Sequence, residues 1–316
     1  LLFIPKTLVN VRKIYNLDDD SRMEQSVNIL EDWIKKQEHF LNKNFSRRYL
    51  EITIISCKGS MEKAKAQIDK LCTFRTLLPK FFISSGIADI CQVINEFAHV
   101  VVLPKMTKDY ERVFVLKIND KEFTASHYMD YYRIAIVLAE YLKVHDYVNG
   151  FIVVDDFRDV NLVDLMTKMN FIELQHILIM YLQKNTEGFG ARLKGIHILS
   201  ESKVVDMFVK TVKSVLSKKI SERIYVHPEI EDLHQVIDKE ILPVDFGGGK
   251  ERPIKEIQGM FKQLHQDIIE DNYSKEHEKH LEVMKASSTD ESLRQTDKFN
   301  EQYMGMPGSF RTLTVD

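Results

Sequence analysis

The sequence predicts an α/β domain preceded by a small all-helical one, and three observations carry that expectation. Five short apolar runs rich in β-branched residues (HVVVLP from His99, then VFVLKI, GFIVVDD, KGIHIL and RIYVH) are separated by helical patterns, the alternation that marks an α/β sheet. The stretch before about residue 80 shows helical periodicity alone. With 316 residues, 44% of them hydrophobic, the chain exceeds one ordinary domain and can bury a core, which excludes a mostly disordered chain.

The elements follow in order. Ser21 and Glu24 have the spacing of a capping box and open an amphipathic helix along Met23, Val27, Leu30 and Ile34. A second helix runs through Tyr49 to Ile55, and a third starts after Gly59-Ser60 with Ala64, Ile68 and Leu71 on one side. Within the α/β part, Ser126 to Leu142 is apolar on nearly all sides, as expected of a helix packed on a sheet, and Leu162 to Leu182 is similar, with a break near Asn170. After Gly247 to Gly249, a polar helix with Ile257, Phe261, Leu264 and Ile268 leads into EDNYSKEHEKH and SSTDESLRQTDK, which read as a solvated, loosely tied tail. The last residues, GMPGSFRTLTVD, alternate and suit a short docked segment.

Composition narrows the function. The 44 Lys+Arg nearly balance 47 Asp+Glu, which argues against a general nucleic-acid binder. The opening LLFIPKTLVNVRK reads as neither a signal peptide nor a span, and no later apolar run approaches the about twenty residues a bilayer requires, so any membrane contact is expected to be peripheral. Cys57, Cys72 and Cys91 are odd in number and lack metal-ligand spacing, which fits a reduced, cytoplasmic protein.

Motifs for catalysis fail on spacing. Gly247-Gly248-Gly249-Lys250 lacks the Ser or Thr of a phosphate loop, and Gly188, Gly190 and Gly195 miss the dinucleotide fingerprint. Asp155 and Asp156 end a strand and point to opposite faces, so one is expected to cap the next segment and the other to meet solvent. His277, Glu278 and His280 spell HEKH, one residue short of a zinc motif, and no serine sits in a nucleophile elbow. No enzyme, metal or cofactor is expected. In Lys203 to Leu216, Val205, Phe208, Val209, Val212 and Val215 form an apolar stripe flanked by Lys203, Lys210 and Lys213, which suits either a core-covering helix or a lid that faces a cavity when closed and a bilayer when open.

From ARLKGIHIL through that helix to SKKISERIYVH, EDLHQVIDKEILP and DFGGG, with GFIVVDDF and KGSMEKAKAQIDKLCTFRTLLP upstream, the chain resembles the CRAL-TRIO lipid-binding family over roughly residues 20 to 250. With DESLR and GSFRTL added, it looks most like the insect alpha-tocopherol transfer protein-like group within that family. The resemblance implies a mainly parallel five-stranded sheet flanked by helices forming an apolar pocket with a helical lid, behind an all-helical N-terminal domain. The expected divisions are 1–80, 81–250 and 251–316. It further implies one hydrophobic ligand per chain, with Lys203 to Leu216 as the lid and Lys58, Arg192, Lys194, Lys219 and Arg223 as a basic cleft for phosphoinositide head groups. Three departures, Ile54-Ile55-Ser56 where relatives carry FLR, Gly190 for a proline and Ser200 for an asparagine, bear on head-group specificity.

Pocket lining is expected from Ile134, Leu138, Phe151, Val153, Met169, Ile177, Tyr181, Phe189, Ile196, Phe208 and Val212, each of which could equally be ordinary core; Tyr132 or Ser126 would meet ligand polarity. The functional expectation is a monomeric cytoplasmic carrier that moves a tocopherol-, retinoid- or other lipid-like ligand between membranes, associating transiently with anionic surfaces. The alternative is a lipid-sensing scaffold that presents its C-terminal tail to a protein partner.

Overall fold

The computed structural model describes residues 6–82, 87–119, 122–170, 174, 192–214, 216, 218–249, 251–258, 283 and 287–294. Four helices come first: α1 (Thr7–Ile14), α2 (Asp20–Lys35), α3 (Arg47–Ser56) and α4 (Met61–Leu77). The capping box expected at Ser21 does not form. Asp19, two residues earlier, is the N-cap of α2 and accepts from Arg22 N at 3.1 Å, because its carboxylate is already placed to take an otherwise orphaned first-turn N–H. Leu30, Ile34, Leu50, Ile54 and Ile68 close this unit's core.

The sheet follows a fifth helix, α5 (Ile87–Phe97), and has the order β1 (Ala98–Val102), β2 (Glu111–Ile118), β3 (Gly150–Asp156), β4 (Leu193–Leu199) and β5 (Ile224–His227). Strands β2 to β5 are parallel, and β1 pairs antiparallel with β2. The reading of a helical pattern between every pair of runs therefore fails at the first. Only a loop from Leu103 to Tyr110 joins β1 to β2, too short for the crossover that parallel pairing needs.

Helix α6 (Ala125–His145) explains its own all-round apolarity. Tyr128, Tyr131, Ile134, Leu138 and Leu142 belong to the sheet's core, whereas Met129, Ile136 and Ala139 belong to the core of the N-terminal helices. It is shared between two cores instead of merely covering a sheet. Helix α7 (Leu162–Lys168) ends ahead of Met169 and Asn170, where the break was expected. The lid-like segment is α8 (Val204–Ser214), followed by α9 (Lys218–Ser221) and α10 (Ile230–Leu233).

Two further expectations are corrected. Neither strand-end carboxylate meets solvent: Asp155 is 5% and Asp156 is 1% exposed. Asp156 does cap the next turn through Arg158 N at 3.2 Å, and it also binds the Arg158 and Lys117 side chains. The loosely tied tail is also incorrect for Ser287–Arg294. Thr289 bridges Phe40 and bonds Thr76, and Arg294 holds both oxygens of buried Asp69 at 3.0 and 2.9 Å, so the DESLR stretch is anchored on the N-terminal helices. The HEKH sequence and GMPGSFRTLTVD lie outside the described residues.

Candidate ligand pocket and basic cluster

Parallel register brings the expected pocket residues together. Phe114 pairs with Val153, Val153 with Ile196 and Ile196 with Ile224, so one face of the sheet carries an apolar row across four strands. Phe151 lies on that face two residues before Val153, its ring edge-on to Phe114 at 5.2 Å. Helix α6 lays Ile134 and Leu138 over this face, Met169 follows α7, and α8 adds Phe208 and Val212. Ile177, Tyr181 and Phe189 lie outside the described residues.

Burial within this set is uneven. Ile134, Leu138, Phe151, Met169, Phe208 and Val212 are buried, whereas Val153 and Ile196, side by side in the middle of the sheet, are only partly so. Central strands covered by helices ordinarily read as continuous buried runs. Val153 and Ile196 instead keep solvent-reachable surface at central positions of the sheet. Helix α8 sits with its stripe inward: Val205, Phe208, Val209 and Val212 are buried and Met207 is 58% exposed. Phe208 stands edge-on to Phe157 at 5.7 Å and to Tyr128 at 6.5 Å, which fixes the helix against the sheet end.

Polarity in this region comes from residues that sequence reasoning largely missed. Asp155 shares the face of Phe151 and Val153, and Tyr128 Oη approaches its Oδ2 at 3.5 Å. Tyr132 Oη donates in turn to Tyr128 Oη at 3.3 Å. Burial raises the Asp155 carboxyl to about 7, only partly opposed by hydrogen bonds from Tyr128 and Tyr131. Ser126 is exposed. On the opposite face, His197 and His227 share a 2.9 Å hydrogen bond, and burial lowers His197 to about 4.

Four of the five basic residues meet at the start of β4. Arg192 is 4% exposed, and its guanidinium lies 4.1 Å from the Tyr15 ring centroid. It donates to Ile55 O at 2.6 Å, Ser56 O at 2.8 Å and Asn149 Oδ1 at 3.0 Å, and it also bonds Tyr15 Oη. Its acceptors include the last carbonyls of α3, where the negative end of the helix dipole favours a cation. Arg192 thus clamps the N-terminal helices to the sheet. Lys58 reaches the same tyrosine ring, its Nζ 5.8 Å from the centroid, from a backbone with φ +56° at the end of α3. Lys194 pairs with Glu111 at 2.8 Å, Arg223 donates to Leu193 O, and Lys219 is exposed on α9. The distant partners Tyr15 and Asn149 carried no local sequence signal.

Among the described residues, no group of three or more His, Cys, Asp or Glu is placed to hold a metal ion, and no helix is long and apolar enough to cross a membrane.

Parts of the chain match known families and proteins. Residues 19–89 match the family described as Pinta-like, UBA domain. The mouse protein named alpha-tocopherol transfer protein-like is 24% identical over 229 residues, covering 71% of this chain and 64% of that one. Human clavesin-2 is 28% identical over 102 residues, 32% of this chain and 30% of its own length. The chain thus matches less than two thirds of the length of these relatives. The crystal structure of Sfh5 aligns with a TM-score of 0.47 at 10% identity, over 80% of this chain and 99% of that one. Residues 96–248, the stretch that holds the sheet, the apolar row and α8, match the family described as CRAL/TRIO domain.

Proposed function

We propose that this chain binds one small hydrophobic molecule, tocopherol-, retinoid- or otherwise lipid-like, between the sheet and helices α6 and α8, and carries it between membranes. The observation that carries this reading is the solvent-reachable surface that Val153 and Ile196 keep at the centre of an apolar sheet face covered by helices. The CRAL/TRIO family, whose proteins bind and transfer lipids, supports the same class of function. The function needs no covalent step.

Partition supplies the physics. Burying about 400 Å² of ligand at about 25 cal/mol per Å² is worth on the order of 10 kcal/mol, comparable to leaving the molecule in a bilayer. Neither compartment wins outright, so transfer needs a gate. Helix α8 suits that role because its apolar stripe can exchange cavity contacts for acyl chains, while the exposed Lys203 and Lys210 face outward. Lys58, Lys194, Lys219 and Arg223 would draw the closed carrier to an anionic phosphoinositide surface at about 1 kcal/mol for each nearby cation. In this arrangement Arg192 acts beneath them, as the clamp that sets their positions. The carrier works as a monomer, associating transiently with membranes from the cytoplasm.

The test is mass spectrometry of organic extracts from the purified full chain, together with transfer of a labelled lipid between vesicles. A folded sample that neither retains nor exchanges any lipid overturns the proposal. Replacing Lys219 and Arg223 with alanine is expected to slow transfer to phosphoinositide vesicles several-fold and leave ligand affinity nearly unchanged. Equal slowing with neutral vesicles would remove the electrostatic role. The scaffold alternative has no comparable support, since the DESLR stretch it would offer to a partner is docked on the chain's own helices.

A further inference from the structure

We infer that the bound ligand presents a hydroxyl group to Asp155, which with Tyr128 and Tyr132 forms a polar seat at the inner end of the apolar pocket. This rests on the carrier reading above and narrows it to a class of ligand.

The argument begins with strand geometry. Asp155 follows Val153 by two residues, so it lies on the same sheet face about 7 Å further along β3. Its Oδ1 is buried with no hydrogen-bond partner among the described residues, although buried polar atoms are nearly always paired. The tyrosines leave that atom free. Tyr132 donates to Tyr128 and Tyr128 points at Oδ2; Tyr131 also bears on the carboxyl, yet Oδ1 keeps no partner in hydrogen-bond geometry among the described residues and is left for a donor from outside the cluster. Tyr132 is itself only partly buried.

Charge then selects among possible donors. No salt bridge joins Asp155 to a cation among the described residues, and its carboxyl titrates near 7, so it is partly protonated at neutral pH and can both accept from and donate to a hydroxyl. A ligand carboxylate would add a second negative charge to an apolar site. An ammonium brings three donors to one free acceptor and leaves the others unpaired where water is excluded. A plain hydrocarbon leaves Oδ1 as it is. A hydroxyl matches the seat in charge and in number of donors.

The test uses the delipidated full chain and four fluorescent probes of equal chain length: decylpyrene, pyrenyl-decanol, pyrenyl-decylamine and pyrenyl-decanoic acid, titrated at neutral pH. The alcohol is expected to bind about tenfold more tightly than the hydrocarbon, and more tightly than the amine or the acid. Asp155→Leu is expected to keep hydrocarbon binding and lose the alcohol preference, and Asp155→Asn, which retains a side-chain oxygen, to keep it. Equal binding of alcohol and hydrocarbon by the parent protein, tightest binding of the amine or the acid, or a preference that survives in Asp155→Leu would overturn the inference while the pocket stands. If none of the four probes binds, the carrier reading itself falls. The parent protein's ranking decides the matter even if the leucine variant does not fold.

Discussion

Asp155 governs a measurable pH response at the scale of a single residue. Its folded-state value is raised to about 7, above the ordinary carboxylate range, because burial disfavours the charged form, so the folded state holds its proton more tightly than the unfolded chain does. The group therefore imposes no penalty well below the unfolded value. The penalty grows as pH rises through the interval up to the folded value and is constant above it. Asp155→Asn is expected to melt at a higher temperature than the parent above neutrality, with the gap shrinking as pH falls toward 4. A gap independent of pH, measured by thermal melts across that range, would contradict the assignment. Arg192 gives a second prediction. Lysine cannot reproduce a guanidinium fork that bonds Ile55, Ser56 and Asn149 while lying on Tyr15, so Arg192→Lys is expected to cost about 2 kcal/mol in urea unfolding.

Helix α8 is the element on which the functional reading turns. Its stripe was legible because Val205, Phe208, Val209 and Val212 recur at helical spacing, and the same four are the residues it buries. Phe208→Ala is expected to destabilise by about 3 kcal/mol, because the ring fills space between Tyr128 and Phe157. Met207→Ser, on the outer side, is expected to change stability by less than about 0.5 kcal/mol. Comparable losses from the two, read by chemical denaturation, would place the helix differently. Other elements were less legible. The apolar ring of α6 permits burial on two sides, yet periodicity cannot say that the second side belongs to another domain's core. The antiparallel turn of β1 into β2 depended on a loop too short to cross over, and the run pattern alone did not show it.

At the scale of the whole molecule, the chain closes on itself through Ser287–Arg294. Asp69 is buried beside His39 and accepts from Arg294 through both its oxygens, so ending the chain at residue 286 leaves a carboxylate without its principal cation. Loss of one partner of such a pair costs about 3 kcal/mol. Truncation there is expected to lower the melting temperature by several degrees, whereas truncation immediately after Arg294 is expected to leave this contact and the stability it confers. Equal stability of the two shortened chains, compared by calorimetry, would show that the segment does not anchor the N-terminal helices. Nothing in DESLR announced this docking, because its partner lies more than two hundred residues earlier, as Arg294 against Asp69 shows.

By itself the amino-acid order determined what depends on neighbours: helical stripes such as that of α2, the β-branched runs that became strands, and the ordered segments that resemble the CRAL-TRIO family. Those signals survive in one dimension because side chains repeat with the local geometry of the backbone. Only the tertiary structure decided which faces met. Register set Val153 beside Ile196, both only partly buried, and turned Asp155 inward with no salt bridge among the described residues, and packing placed Arg192 as a clamp between α3 and the start of β4. Contacts of this kind join residues far apart in the chain, and burial of a charge has meaning only once the surrounding layers are in place.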